Sequence, residues 1–413
     1  MKGNWFLILA AVPALAQQTL TLADLERMAL AASPSLQQSE ADVRAAAGRA
    51  QQAGLYPNPV LGTSGDHVAG GPYLRGGDIG GFVEQRIVMG GKLGLSRKAA
   101  DQNRVAAQDM QEAERLRVLT TIRTLYYQAL GEQRLITVRK DMAELAGRTV
   151  KTWRDLSNLG QADRPDVLAA DVEAQRAGLG VTLAQNALDR TWREIAVTVA
   201  QPNLQPVTLE GDFEMVPKLD ARAALEKIYA GSPELRAAEA NRASADLQLN
   251  RARVEKIPDL LLRGGVRYNR NLVAPDIPAG IEGFFDVGVE VPLFDRNQGA
   301  VAAAQSEVQR ARLEGDRQKL LLARRFAGVY KEYRDAVDAA ARYHDSMIPA
   351  ARQAYDMYAK NFSNMAAPYS QVLLTQRNLF QLQEEYVAAL MTAWRSAMEI
   401  DGLLVTESPR MIY

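Results

Sequence analysis

The sequence predicts a membrane β-barrel joined to a long α-helical coiled-coil barrel, with two structural repeats and four membrane strands in each chain. Three observations predict it. Short segments recur in the same order in both halves of the chain. Each half carries two short strands with an apolar face. Each strand pair then feeds a helical run too long to be buried in an ordinary globule.

The recurrence is read directly from the residues. Ser33-Pro34-Ser35-Leu36 lies over Ser232-Pro233-Glu234-Leu235, Pro59 over Pro258 and Gly65 over Gly264. Val88-Met89-Gly90-Gly91-Lys92 lies over Leu293-Phe294-Asp295-Arg296-Asn297. Near the end of each half, Leu188 and Thr191-Trp192-Arg193-Glu194 lie over Leu390 and Ala393-Trp394-Arg395-Ser396. The spacing drifts while the order holds, which marks a duplication. Residues 17–206 form repeat 1, 207–217 a Pro/Gly-rich connector, 218–405 repeat 2 and 406–413 a tail.

Residues 1–16 read as an export signal. Lys2 supplies the positive end, Trp5 to Val12 the apolar segment, and Ala14-Leu15-Ala16 a small-x-small cleavage site. No later run is apolar and long enough for a membrane helix, so any crossing falls to strands. No cysteine follows the cleavage site, so the N-terminus is not lipidated in the manner of bacterial lipoproteins.

Repeat 1 opens at Thr19 or Thr21, either able to cap a helix whose face is Leu22, Leu25, Met28 and Ala29. Ser33-Pro34 breaks and restarts the helix, which runs to about Leu55 until Tyr56-Pro57-Asn58-Pro59 stops it. Strands are expected at about 60–68 and 79–88, around a Gly/Pro-rich loop that holds His67. The Gly90-Gly91-Lys92 corner leads into a helix hairpin over 93–199. Its first arm carries Leu135, Val138, Met142, Leu145, Thr149, Trp153 and Leu156 at coiled-coil spacing. At roughly 95 Å, such an arm needs equally long neighbours. Ser157 to Pro165 turns the chain, with Asp163 and Pro165 as the start signal of the return arm.

Repeat 2 follows the same order, with strands at about 260–269 and 285–293. The last strand alternates cleanly: Phe285, Val287, Val289, Val291 and Leu293 against Asp286, Gly288, Glu290 and Pro292. Its corner is Asp295-Arg296-Asn297, and its helix hairpin covers 300–404. The expected seam is Phe326, Tyr330, Tyr333, Val337, Ala340, His344, Met347 and Ala351. Asn361 to Pro368 is the turn.

Composition excludes several functions. The chain has 413 residues, with 49 basic and 49 acidic side chains, so nothing argues for a nucleic-acid partner. It has no cysteine and only two histidines, which excludes thiolate chemistry and a histidine-rich metal centre. Gly90-Gly91-Lys92 lacks the loop spacing and the following Ser/Thr of a phosphate-binding loop, and reads as a tight corner. Glu384-Glu385 and the Asp163, Asp166, Asp171 group read as solvated helix or turn surface. His344 reads as packed or lumen-facing. No catalytic residues, cofactor or metal site are expected; the chain reads as a conduit, not an enzyme. Four strands leave open edges in lipid, so copies must associate through the sheet. Two chains would give eight strands and three would give twelve.

Over nearly its whole mature length the chain resembles the bacterial outer-membrane efflux channels of the TolC type. Within them it resembles above all the CzcC-type components of heavy-metal cation resistance systems. Leu20 to Glu26, Ser33 to Leu36, Tyr56 to Pro59, Gln85 to Lys92 and Val291 to Gly299 carry the resemblance. It implies a homotrimer with a twelve-stranded barrel in the outer membrane and a helical tunnel in the periplasm. It also implies a periplasmic adaptor and, through it, a proton-driven inner-membrane pump.

Under the resemblance, the turns with Asn158, Leu159, Gly160, Asn361, Met365 and Pro368 form the periplasmic tip that docks the adaptor. Asp163, Arg164, Asp166, Gln371 and Leu374 form the gate region. Relatives carry aspartates where Gln371 and Leu374 stand, so charge at the mouth falls to Asp163 and Asp166. The implied cargo is divalent heavy-metal cations. Organic compounds, type I secretion and a non-transporting surface rod are the alternatives.

Overall fold

The structure, a computed structural model, describes residues 20–66, 77–160, 163–274, 277–363 and 368–405. The expected export signal, His67, Met365 and the tail lie outside them.

Helices α1 (Leu22–Ala32) and α2 (Pro34–Ala53) precede strands β1 (Val60–Asp66) and β2 (Asp78–Ile87). Helices α3 (Lys92–Asn158) and α4 (Arg164–Thr198) complete the first repeat. The second has α5 (Ala221–Gly231), α6 (Pro233–Val254), β3 (Leu260–Ala274) and β4 (Ile277–Val289). It continues with α7 (Gln298–Arg342), a π-helical turn (Tyr343–Met347), α8 (Ile348–Ser363) and α9 (Tyr369–Asp401). The caps follow the sequence. The Thr21 hydroxyl accepts from Asp24 N–H and Asp24 answers at Thr21 N–H, a reciprocal capping box. The Ser232 hydroxyl accepts from Leu235 N–H in front of Pro233.

Two compact units emerge, and neither coincides with a repeat; each takes matching pieces of both. Among the described residues, the first takes those of 20–36, 114–231 and 322–405. Its core joins Leu25, Ile122, Tyr126, Trp192, Ile195 and Trp394, so the two repeat-matched tryptophans share one core. Trp394 donates its indole N–H to Phe213 O at 2.8 Å and stacks on Tyr127 with ring centroids 3.5 Å apart. The connector is thereby part of this core, through buried Leu209 and Phe213.

Among the described residues, the second unit takes those of 37–113 and 232–321. It holds the four-stranded antiparallel sheet, ordered β1-β2-β3-β4. Its helices meet through small side chains, with Ala106, Ala237 and Ala240 packed together and Ser244 Oγ donating to Ala99 O at 3.0 Å. Alanine lets such backbones approach closely.

Two expectations need correction. The last strand runs 277–289 instead of 285–293. Pro278 and Gly280 carry turn chemistry, yet they pair with Leu272 and Asn269 at the end of the β3–β4 ladder, beside register shifts that accommodate them. At the other end pairing stops at Val289, before Pro292.

The second long helix is also not continuous. The π turn intervenes because Pro349 has no N–H for the carbonyl four residues earlier, and Ile348 N–H bonds Tyr343 O instead. The wider turn shifts the angular positions of the side chains within it and after it. His344 and Met347 therefore leave the expected seam and are exposed, while Tyr343, Ile348 and Tyr355 pack with Ala351, Leu379 and Leu382. The first arm's seam is kept from Leu135 to Leu156, all buried or half-buried.

Candidate functional site

The strand ladder has two chemically opposite faces. Register puts Leu61, Val83, Gly264 and Phe285 on one rung, Thr63, Gly81, Val266 and Gly283 on the next, then Gly65, Ile79, Tyr268 and Ile281. Toward the helices, the same face continues with Gln85, Leu262 and Val287, then Ile87, Leu260 and Val289. No position on these five rungs is charged. Its apolar side chains stand in the open, Leu61 at 77%, Phe285 at 68% and Ile281 at 79% exposure. A contiguous apolar band of this kind needs an apolar neighbour.

The opposite face carries Val60, Glu84, Arg263 and Asp286 on one rung, then Gly62, Phe82, Gly265 and Phe284. Beyond them come Ser64, Gly80, Arg267 and Glu282, then Asp66, Asp78, Asn269 and Gly280. Arg267 reaches Glu282 at 3.3 Å and Asp78 at 3.6 Å, and Asn269 donates to Glu282 at 3.1 Å. Phe82 lies across Gly62, where a Cβ would come within 2.5 Å of the ring. Among the described residues, strands β1 and β4 each have one unpaired side.

The predicted corners are tight turns at the helix starts. Gly90 and Gly91 have φ of +69° and +70°, and a Cβ on Gly90 would meet Ile257 at 2.9 Å. In the second repeat Asn297 takes φ +63°, donates through its side chain to Ala252 O, and receives Val301 N–H at its carbonyl. Asp295 Oδ1 accepts from Asn297 N–H and Gln298 Oε1 from Arg296 N–H. The left-handed residue before the helix is therefore Gly91 in one repeat and Asn297 in the other, one residue off the sequence alignment.

At the helix turns, Asn158 ends α3, and Leu159 and Gly160 (φ +71°) follow, all exposed. Asp163 is the cap position of α4, but its carboxylate caps nothing; its backbone carbonyl accepts from Asp166 N–H. Arg164, Asp166, Asn361, Pro368, Gln371 and Leu374 are exposed.

The helical stripe gave Trp153 as a seam residue, but sequence reasoning missed its aromatic partners and the Glu173–Arg377 pair, and it read Glu384 as solvated surface where Arg139 pairs with it. Trp153 lies edge-on to Tyr369 at 4.8 Å and 6.1 Å from Phe362, over Val150 and Ala170. Arg377 pairs with Glu173, its Nε 3.1 Å from Oε2, and Arg139 reaches both Glu384 and Gly180 O. Burial pushes the Tyr369 phenol up, against hydrogen bonds from Trp153 and Thr149.

Among the described residues no group of three His, Asp or Glu side chains is placed to hold a metal. No described helix is long and apolar enough to cross a membrane.

The profile described as "Outer membrane efflux protein" matches residues 25–200 and, separately, 224–403. The chain belongs to the outer membrane efflux protein family. The double match falls on the two repeats. The chain is similar to the cobalt-zinc-cadmium resistance protein CzcC of Cupriavidus metallidurans. They share 24% identity over 391 residues, 93% of this chain and 90% of that one. It is also similar to the nickel-cobalt-cadmium resistance protein NccC of Alcaligenes xylosoxydans xylosoxydans, at 27% over 312 residues, 70% of this chain and 66% of that one. The outer-membrane channel OprN has the same fold, with a TM-score of 0.78 at 18% identity over 94% of this chain and 90% of that one. Efflux proteins of this family are outer-membrane channels, not a family of enzymes.

Proposed function

We propose that the chain is the outer-membrane exit duct of a tripartite efflux system. Three copies join their sheets into one twelve-stranded barrel, and the helices stand in the periplasm. The observation that carries this reading is the uncharged, exposed face of a sheet whose two edges are unpaired. Such a face belongs against lipid, and such edges must be paired there. The duct conducts passively, and an inner-membrane proton-driven pump coupled through a periplasmic adaptor supplies the energy.

The adaptor docks on the turns around Asn158, Leu159, Gly160, Asn361, Met365 and Pro368. The mouth lies among Asp163, Arg164, Asp166, Gln371 and Leu374, which opens when α9 separates from α3 and α4. The exported class is divalent heavy-metal cations, a reading supported by the metal-resistance relatives that match along the chain. A strain lacking the protein should become sensitive to zinc, cobalt and cadmium salts and recover on complementation. Unchanged metal tolerance together with new sensitivity to organic toxicants would overturn the assigned cargo.

A further inference from the structure

The polar face of the sheet does not neutralise itself. Glu84, Arg263 and Asp286 stand side by side on neighbouring strands, so the simplest arrangement would place the guanidinium between the two carboxylates. Arg263 instead leans onto the next rung, its guanidinium carbon 3.8 Å from the centre of the Phe82 ring and 6.0 Å from that of Phe284. Its Nε is buried there with no acceptor among the described residues. Neither Glu84 nor Asp286 has an ion-pair partner among the described residues.

Further along the face Arg267 serves both Glu282 and Asp78. The Asp78 side chain is only 6% exposed, and its Oδ1 is buried without a donor among the described residues. Across the regular ladder this face holds Asp66, Asp78, Glu84, Glu282 and Asp286 against Arg86, Arg263 and Arg267. Five carboxylates thus oppose three guanidiniums, while the five rungs of the other face carry no charge.

We propose that this face gives the conduit a preference for cations, with Glu84 and Asp286 as its determinants and Phe82 as the residue that keeps Arg263 off them. The inference rests on the duct reading and deepens it. If this face lines a bore shared by three copies, the excess of carboxylates recurs three times around the lumen. Walls of low dielectric behind it focus the field on the passing ion. A hydrated divalent cation is concentrated by such a lining, without being bound tightly enough to stall. Phe82 is a positioning residue here: it touches no cargo and acts through Arg263.

The test is the reversal potential of the purified channel in a planar bilayer under a potassium chloride gradient. The wild-type current should reverse at a cation-preferring potential. Glu84→Gln and Asp286→Asn should each lower the potassium-to-chloride permeability ratio about two- to threefold. Phe82→Leu should lower it too, although no charge is changed, because Arg263 is released to pair with its neighbours. Arg263→Gln, which removes a buried unpaired Nε, should raise it. Channels that conduct normally with a ratio unmoved by all four substitutions would overturn the inference and leave the duct intact. Absence of any current from folded wild-type protein would overturn the duct reading, and this inference with it.

Discussion

Lys92 Nζ lies 2.8 Å from Asp259 Oδ1, so the corner that begins α3 is tied to the residue in front of β3. The same carboxylate oxygen accepts from Met89 N–H at 3.1 Å, and Glu255 stands 3.9 Å from the ammonium. The lysine of the Gly90-Gly91-Lys92 corner is thus committed to a cross-repeat ion pair within the strand-bearing unit. Its side chain is 5% exposed, and a buried ammonium stripped of its carboxylate is costly.

Asp259→Asn should lower the stability of this unit by about 2 kcal/mol, less than a fully buried pair would cost because Asp259 is partly solvated. Lys92→Met removes the charge that needs a partner. The double substitution should therefore cost less than the sum of the two singles. Thermal unfolding of the four proteins in detergent measures the difference. Additive losses would show that the two groups do not act as a pair.

The Glu173–Arg377 pair straps α9 to α4 beside the Trp153–Tyr369 contact. Glu173→Gln should weaken that strap by about 1–2 kcal/mol, since the Glu173 side chain is 13% exposed. Limited proteolysis should then cut sooner in the 157–165 turn, and single-channel conductance should rise. Gln371→Gly together with Leu374→Gly should raise conductance by a separate route. Both side chains are exposed, so little packing is lost while the proposed mouth widens. Unchanged conductance in the second variant would place the constriction elsewhere.

Stability should also depend on pH through Glu114. Burial alone would raise its carboxyl, yet hydrogen bonds from Arg117 and Ser35, with the Arg117 charge, hold it below the ordinary glutamate range. A carboxyl depressed by folding stabilises at pH above its unfolded value, about 4.3, and loses that contribution as pH falls through its folded value. At pH 7 Glu114→Gln should cost about 1–2 kcal/mol. The gap between wild type and variant should close as pH is lowered below about 4. A gap that stayed constant down to pH 3 would contradict the assignment.

Much of this fold was legible because duplication made each half a check on the other. The Ser-Pro restarts, the Pro57/Pro59 and Pro258 stops and the matched tryptophans all fall at element ends or in the shared core. Alternation from Phe285 to Val289 named the apolar face correctly. It could not reveal where β4 begins, because Pro278 and Gly280 carry turn chemistry while pairing at the end of a ladder.

The π turn was hidden for a related reason. The heptad pattern runs on through His344 and Met347, and only Pro349, a few residues later, signals the break. At the helix turns, Glu173 and Arg377 come from different repeats and meet only through folding; no local pattern links them. Arg263 is the same kind of case, since register alone would have paired it with Glu84 and Asp286.

The most direct test of the account labels its two faces one residue apart. The chain has no cysteine, so Asp286→Cys and Val287→Cys each introduce a single thiol. In purified protein embedded in lipid nanodiscs, a membrane-impermeant maleimide should modify the Asp286→Cys thiol, on the face proposed to line an aqueous bore. It should spare the Val287→Cys thiol, on the face proposed to meet lipid, until detergent or denaturant is added. Equal labelling at both positions, or labelling of Val287→Cys alone, would contradict a lipid-embedded sheet closed around an aqueous bore.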